Sequence, residues 1–368
     1  MKNEKYKVGI IGATGMVGQR FITLLCDHPW YDITVLAASP RSAGKAYKEA
    51  VGAKWCMDVS IPEKVKDMTV MNATDDVEKI AGMVDFVFCA VDMKKDEIKA
   101  LEERYAKAEC PVVSNNSAHR HTDDVPMIIP EINPEHIEII KSQRERLGTK
   151  RGFIAVKSNC SLQSYLPAMA VINAKYPIDH AIVTTYQAIS GAGKTFETWP
   201  EMVDNLIPYI GGEEQKSEIE PNKILGKIKD GKIVPSTELQ IECQTYRVPV
   251  SNGHTAAIFF SFKDGVKKPS VEEIENMWRE FKGVPQELEL PHAPKQFIHV
   301  YTEDDAPDQP QIKTAREIDG GMAISCGRLR ESTQFDYKMV SMSHNTLRGA
   351  AGGAVLLAEL LTAKGYMD

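Results

Sequence analysis

The chain opens with a short apolar run, Tyr6-Lys-Val-Gly-Ile-Ile11, which gives way at once to Gly12-Ala-Thr-Gly15-Met-Val-Gly18 and then to an amphipathic stretch from Met16 to about Cys26. That order predicts a buried strand, a glycine turn and a helix. Ile33–Ala38 supplies the next strand and closes a βαβ unit of the usual length. Further strands are predicted at Asp85–Val91, Pro111–Ser114, Met127–Ile129 and Phe153–Val156, with a helix from Asp96 to Lys107. Alternation of this kind predicts a parallel sheet with helices on its faces. Beyond Val156 the strands suit an antiparallel sheet instead: Ala181–Tyr186, Gln244–Val250, Thr255–Phe262, Gln296–Tyr301 and Ala323–Leu329. A helix is expected over Leu162–Lys175, helices and loops over Phe196–Gly212 and Glu213–Gly231, and a terminal helix over Thr346–Ala363. The fold class expected is α/β: a Rossmann-type dinucleotide-binding domain followed by an α+β domain with a mainly antiparallel sheet. The terminal helix is expected to return to the first domain, which gives residues 1–157 with 345–368 as one unit and 158–344 as the other.

Composition narrows the functional classes. At 368 residues, 43% hydrophobic and 26% charged, the chain is long enough for two globular cores and too apolar to be disordered. Forty-four basic against fifty-one acidic side chains leave a formal charge of -7, which offers no attraction to nucleic acid or anionic lipid. No apolar run of about 18 residues is present, so no membrane span is expected. Seven cysteines are scattered without a CxxC, which argues against a disulfide framework or a zinc ribbon and for a reducing cytoplasm. His119 and His121 make a two-ligand seed lacking clear further ligands, and no metal is expected.

Three chemical signals stand above this background. The glycine turn, with Gly12, Thr14, Gly15, Met16 and Val17 as candidate contacts, would let a pyrophosphate approach a helix N-terminus. At the end of the second strand Ser39, Arg41 and Ser42 stand where an NAD enzyme places an acid, which favours NADP. Cys160, in Ser158-Asn-Cys-Ser161, is expected at a strand-to-helix junction, where a helix dipole would favour its thiolate; the other six cysteines read as packing residues. Among nine histidines, His254 heads an apolar strand with Arg247 just upstream, a possible acid/base and carboxylate clamp.

With those residues goes a resemblance along nearly the whole chain. Gly12–Gly18, Ala38–Gly44, Asn115–Arg120, Ser158–Ser161, Gln187–Gly193, Glu220–Lys223, Arg247–His254 and Asp336–Gly349 together resemble the aspartate-semialdehyde dehydrogenases of archaea and fungi. The resemblance implies NADPH-dependent reductive dephosphorylation of L-aspartyl 4-phosphate to L-aspartate 4-semialdehyde, in the aspartate pathway to lysine, threonine, methionine and isoleucine. It implies Cys160 as nucleophile, His254 as general acid/base and Gln187 as the group orienting the acyl intermediate. Arg247 would bind the substrate carboxylate, Glu220 its ammonium, and Arg120, Asn159 and Lys223 the phosphate. Asn345 would contact the nicotinamide amide. The family also implies a homodimer or homotetramer, with the α+β unit as catalytic and dimerisation domain. Two alternatives remain at this level: a malonyl-CoA reductase on the same scaffold, and a non-catalytic NADP-sensing regulator.

Overall fold

A computed structural model describes residues 4–302 and 309–368. Its first sheet contains β1 (Tyr6–Ile11), β2 (Tyr31–Ala38), β3 (Met71–Asn72), β4 (Phe86–Cys89), β5 (Val112–Ser114), β6 (Met127–Ile128) and β7 (Ile154–Lys157). All pairings are parallel, in the order β3-β2-β1-β4-β5-β7-β6. Strands covered on both faces need apolar residues at every position, and successive side chains divide between two cores. Phe86 and Phe88 pack into one core beside Phe21, and Val87 and Cys89 enter the other beside Leu101 and Tyr105.

The rest of the chain adds β8 (Ile178–Gln187), the β9–β10 hairpin (Lys227–Lys229 and Lys232–Val234), β11 (Gln240–Arg247), β12 (His254–Phe262), β13 (Ile298–Tyr301), β14 (Ile324–Glu331) and β15 (Tyr337–Ser343). The second sheet runs β11-β8-β12-β15-β14-β13. Its central pairings are antiparallel, and the two edge strands, β11 and β13, join it in parallel. The mainly antiparallel sheet expected from the sequence is therefore mixed at both edges. The strand β15 was not anticipated. Its inward positions include Ser341 and Ser343, both buried, so polar residues break the apolar signature in the middle of the sheet. Helices expected within Phe196–Gly212 reduce to one turn at Pro200–Met202.

The helix Ala351–Ala363 is buried through Thr362, and its residues join the core formed by Val8, Ile10, Phe21, Phe86 and Val113. A helix apolar all round must be enclosed on all sides, and this one lies against the helix Met16–Leu25 and strands β5 and β7. Its one carboxylate, Glu359, accepts from His28 Nε2 at 2.8 Å and His292 Nδ1 at 2.6 Å. Leu290 belongs to the same core, with Val284 and Ala293 packed against it, so a short stretch from the second half of the chain also crosses to the first sheet. Among the described residues, no helix is long and apolar enough to cross a membrane.

Candidate active site

The glycine turn is built for close backbone approach. Gly12 has φ +95°, and a Cβ there would lie 2.3 Å from Ala90 O; a Cβ on Gly18 would lie 2.2 Å from Gly12 O. Gly15 caps the following helix without a side-chain acceptor, and no acidic residue occupies its first turn. Backbone N–H groups at that end are thus left for an external anion. Ser39, Pro40 and Arg41 are exposed just beyond β2, with no carboxylate among them.

Between the two sheets lies a cavity of about 380 Å³. Its lining includes Met16 and Val17 from the glycine turn, Cys160 and Asn159 from the β7 loop, Gln187 and Arg247 from the second sheet, and Asn345 from the segment before the terminal helix. Strand register explains the convergence. Arg247 pairs with Gln187, Gln187 with His254, and His254 with Ser343, so the ends of four adjacent strands reach one level. Gly191 completes the fit: a Cβ there would stand 2.8 Å from Arg247 Nη1 and 3.3 Å from His254 Nε2.

Cys160 Sγ lies 3.4 Å from His254 Nε2. His254 Nδ1 accepts the Ala188 N–H at 3.1 Å, which places the proton of the neutral ring on Nε2, facing sulfur. Burial, helped by the neighbouring Arg247 charge, pushes the His254 pKa down to about 3. The imidazole is therefore a neutral hydrogen-bond donor near neutral pH. Cys160 does not stand at the start of an α-helix as expected. A single 3₁₀ turn, Leu162–Ser164, follows it, Tyr165 breaks the path at φ −142°, and the helix begins only at Leu166 with Pro167 in its first turn. The dipole argument for its thiolate fails on that geometry. Burial and then Glu213 raise the thiol pKa, while Lys157, Arg120 and Arg247 oppose them; the net direction is upward. Cys110, Cys243 and Cys326 are pushed by burial to about 12, consistent with packing roles.

Two expected site residues point elsewhere. Glu220 is fully buried: Oε1 accepts from Arg120 Nη1 at 2.9 Å and Oε2 from the Asn159 N–H at 2.7 Å. Lys223 Nζ donates to the carbonyls of Arg120, Thr122 and Val125 at 2.6 to 2.8 Å. Neither lines the cavity; one helical heptad earlier, Glu213 and Lys216 do. Burial alone would raise the Glu213 pKa, but Lys216 at 2.6 Å and the Asn159 amide more than offset it, leaving the carboxylate below its ordinary range. The sequence held a signal for this pair in Gly211-Gly212, which ends the preceding loop and sets Glu213 in the first turn of the helix Glu213–Ile224, beside the cavity. Asn345 lines the cavity, but its amide is engaged, Oδ1 by the Gly253 N–H at 2.7 Å and Nδ2 by Ser190 Oγ at 2.9 Å. His119 bonds to Thr122 and to the Lys99 carbonyl.

Both halves of the chain are similar to known proteins. Residues 7–140 match the family described as semialdehyde dehydrogenase, NAD binding domain, and residues 169–348 match semialdehyde dehydrogenase, dimerisation domain. The aspartate-semialdehyde dehydrogenase of Candida albicans is 40% identical, with 97% of this chain and 98% of that protein covered. That of Methanothermobacter thermautotrophicus is 41% identical, over 96% of this chain and 98% of that one. The crystal structure of the Candida enzyme with NADP superposes with a TM-score of 0.87 at 40% identity, over 99% of this chain and all of that one. A Vibrio cholerae aspartate semialdehyde dehydrogenase II, 24% identical and covering 99% of this chain and all of its own, shares the fold at a TM-score of 0.73. Matched in both halves and at about 40% identity along its full length, the chain belongs to the aspartate-semialdehyde dehydrogenase family.

Proposed function

We propose that the protein reduces L-aspartyl 4-phosphate to L-aspartate 4-semialdehyde with NADPH, through a thioester on Cys160. The observation that carries this reading is the cavity itself, where a thiol with a histidine donor faces a buried arginine and a paired carboxylate. Arg247, whose Nη1 is held by Ala188 O at 2.6 Å, presents its remaining donors to the substrate carboxylate. Glu213 receives the ammonium, taking the place first expected of Glu220. Lys216 and Arg120 hold the phosphate, with Lys216 in the place expected of Lys223. Asn159, fixed by Glu213 and Ser161, and Gln187, fixed by Thr185, orient the acyl group.

The Cys160 thiolate attacks the acyl carbon, the C–O bond to phosphate breaks, and phosphate leaves toward Lys216. The bound dinucleotide supplies hydride to the thioester. His254 Nε2–H hydrogen-bonds the tetrahedral oxyanion left by hydride transfer; the oxyanion then reforms the aldehyde carbonyl as the C–S bond breaks, and the sulfur leaves as the Cys160 thiolate, again facing Nε2–H. The glycine turn holds the pyrophosphate; Ser39, Arg41 and Ser42 receive the 2′-phosphate, which makes NADP the cofactor. Asn345, anchored between Gly253 and Ser190, sets the loop against which the nicotinamide amide rests.

Self-association belongs to the same reading. Ile182, Tyr186 and Phe259 are exposed together on the outer face of the second sheet, within the stretch matching a dimerisation domain. A second copy of the chain covers that face. A reducing compartment suits a working thiolate.

The deciding assay follows absorbance at 340 nm with aspartate semialdehyde, phosphate and NADP, beside malonyl-CoA with NADPH. Turnover of aspartate semialdehyde that disappears in Cys160→Ala is expected. Activity with malonyl-CoA alone would overturn the substrate, and full activity in Cys160→Ala would overturn the mechanism.

A further inference from the structure

The turn that carries Cys160 is tied to another wall of the cavity by a buried chain of polar groups. Arg348 lies in the stretch Asn345–Ala350, of which Asn345, Thr346, Gly349 and Ala350 line the cavity beside Cys160. Its own side chain is fully buried. Both terminal nitrogens bind the Glu131 carboxylate, Nη1 to Oε1 at 2.7 Å, and the guanidinium carbon lies 4.6 Å from the centre of the Phe297 ring. The third nitrogen, Nε, donates to Gln163 Oε1 at 2.9 Å. Gln163, 2% exposed, sits in the 3₁₀ turn Leu162–Ser164, three residues after the nucleophile. Because a guanidinium only donates, the glutamine must present its oxygen there and its amide nitrogen to the other side. That nitrogen donates at 2.8 Å to Ser158 Oγ, two residues before the nucleophile.

We propose that Gln163 is a positioning residue: it links Arg348 to Ser158 and so holds the nucleophile turn at one distance from the wall against which the nicotinamide rests. The inference rests on the proposed reaction, with Cys160 as nucleophile. Three observations carry it. The link consists of two hydrogen bonds of ordinary length between buried groups, where such bonds hold most firmly. Its far end is fixed, since Arg348 is clamped by Glu131 from the loop after β6 and lies over a ring. Its near end reaches the backbone that leads directly into Cys160, while the sulfur itself faces His254 on the second sheet and depends on that contact instead. In the oxidative direction the sulfur adds to the aldehyde carbon, and hydride then passes from that carbon to NADP as the oxygen loses its proton, leaving a thioester and NADPH. Addition needs the sulfur alone. The hydride step also needs the two walls in register, and a misplacement of about 1 Å costs about 10²-fold.

Gln163→Leu cuts the link at its centre and Ser158→Ala at its near end. Hydrogen exchange, read by mass spectrometry without cofactor, should quicken in residues 157–163 and 345–350 together in both variants, with the peptides of β1 and β2 unchanged. Single-turnover formation of NADPH, followed at 340 nm with aspartate semialdehyde and NADP but no phosphate, should fall about 10- to 100-fold in each variant. The double variant should fall no further, since both changes cut one link. Alkylation of Cys160 by iodoacetamide should keep the rate of the unsubstituted chain. An unchanged single-turnover rate, additive losses, or exchange that is unchanged or rises throughout the chain overturns the proposal. Alkylation that slows in step with hydride transfer overturns it too, because the sulfur itself would then be impaired. Should Gln163→Leu fail to fold, Ser158→Ala carries the same three measurements. An unsubstituted chain that forms no NADPH from aspartate semialdehyde would instead refute the proposed reaction, and hydrogen exchange would still decide the link.

Discussion

The helix Glu213–Ile224 carries the same pattern twice, Glu213-x-x-Lys216 and Glu220-x-x-Lys223, seven residues apart and so on nearly the same face. The two pairs have opposite fates. Glu220 and Lys223 spend every strong bond on the protein, on Arg120, on Asn159 and on three carbonyls. Glu213 and Lys216 stand at the cavity, where a ligand can still exchange for part of what they hold. A charged residue near an active site is thus a candidate for chemistry only after its existing partners have been counted.

Removing each member should separate the two fates. Glu220→Gln breaks a buried ion pair and leaves Arg120 uncompensated, so a loss of about 3–5 kcal/mol is expected. Denaturant unfolding checks it, and a change under about 1 kcal/mol would remove the structural role. Glu213→Gln should lower kcat/KM for aspartate semialdehyde about 10²-fold, the scale of a lost charged hydrogen-bond pair. Its unfolding free energy should shift far less than that of Glu220→Gln; the reverse pattern would exchange the roles. Lys216→Met should raise the KM for phosphate about tenfold and alter NADP binding little. Steady-state kinetics with phosphate varied decides it, and an unaltered KM removes Lys216 from the phosphate site.

The dependence on pH is where no difference is expected. With its pKa held near 3, His254 stays neutral where an ordinary imidazole would titrate, so His254→Gln should lower kcat by about 10² to 10⁴ by the same factor at pH 5.5 and pH 7.5. A factor that changes between the two would show that the ring titrates. The same shift has a stability consequence of fixed sign. Between pH 6.5 and about 3 the unfolded chain binds a proton that the folded site refuses, so this histidine lowers stability as pH falls through that window.

The legible parts of the molecule were those specified locally. The turn at Gly12, Gly15 and Gly18 follows its strand directly and opens its helix, and the parallel character of the sheet built on it comes from simple alternation of elements. Cys160, Gln187, Arg247 and His254 were all marked in sequence, although the register that lines up their strands was not. Two features escaped because their causes lie elsewhere in the chain. β15 hides behind Ser341 and Ser343, whose burial depends on being enclosed by β12 and β14. The choice between Glu213 and Glu220 depended on the position of Arg120, 100 residues away from Glu220 in sequence.

The helix Ala351–Ala363 sets an order of events during synthesis. Residues 351–363 fill one face of a sheet whose first strand begins at Tyr6, and Asn345 and Gly349 just before them line the cavity. A ribosome must therefore finish more than 350 residues before the glycine turn acquires its final packing. Until then the core that holds Phe21, Phe86 and Phe88 lacks the side chains from Ala351 to Leu361, so a truncation late in the chain would weaken the cofactor-binding half first.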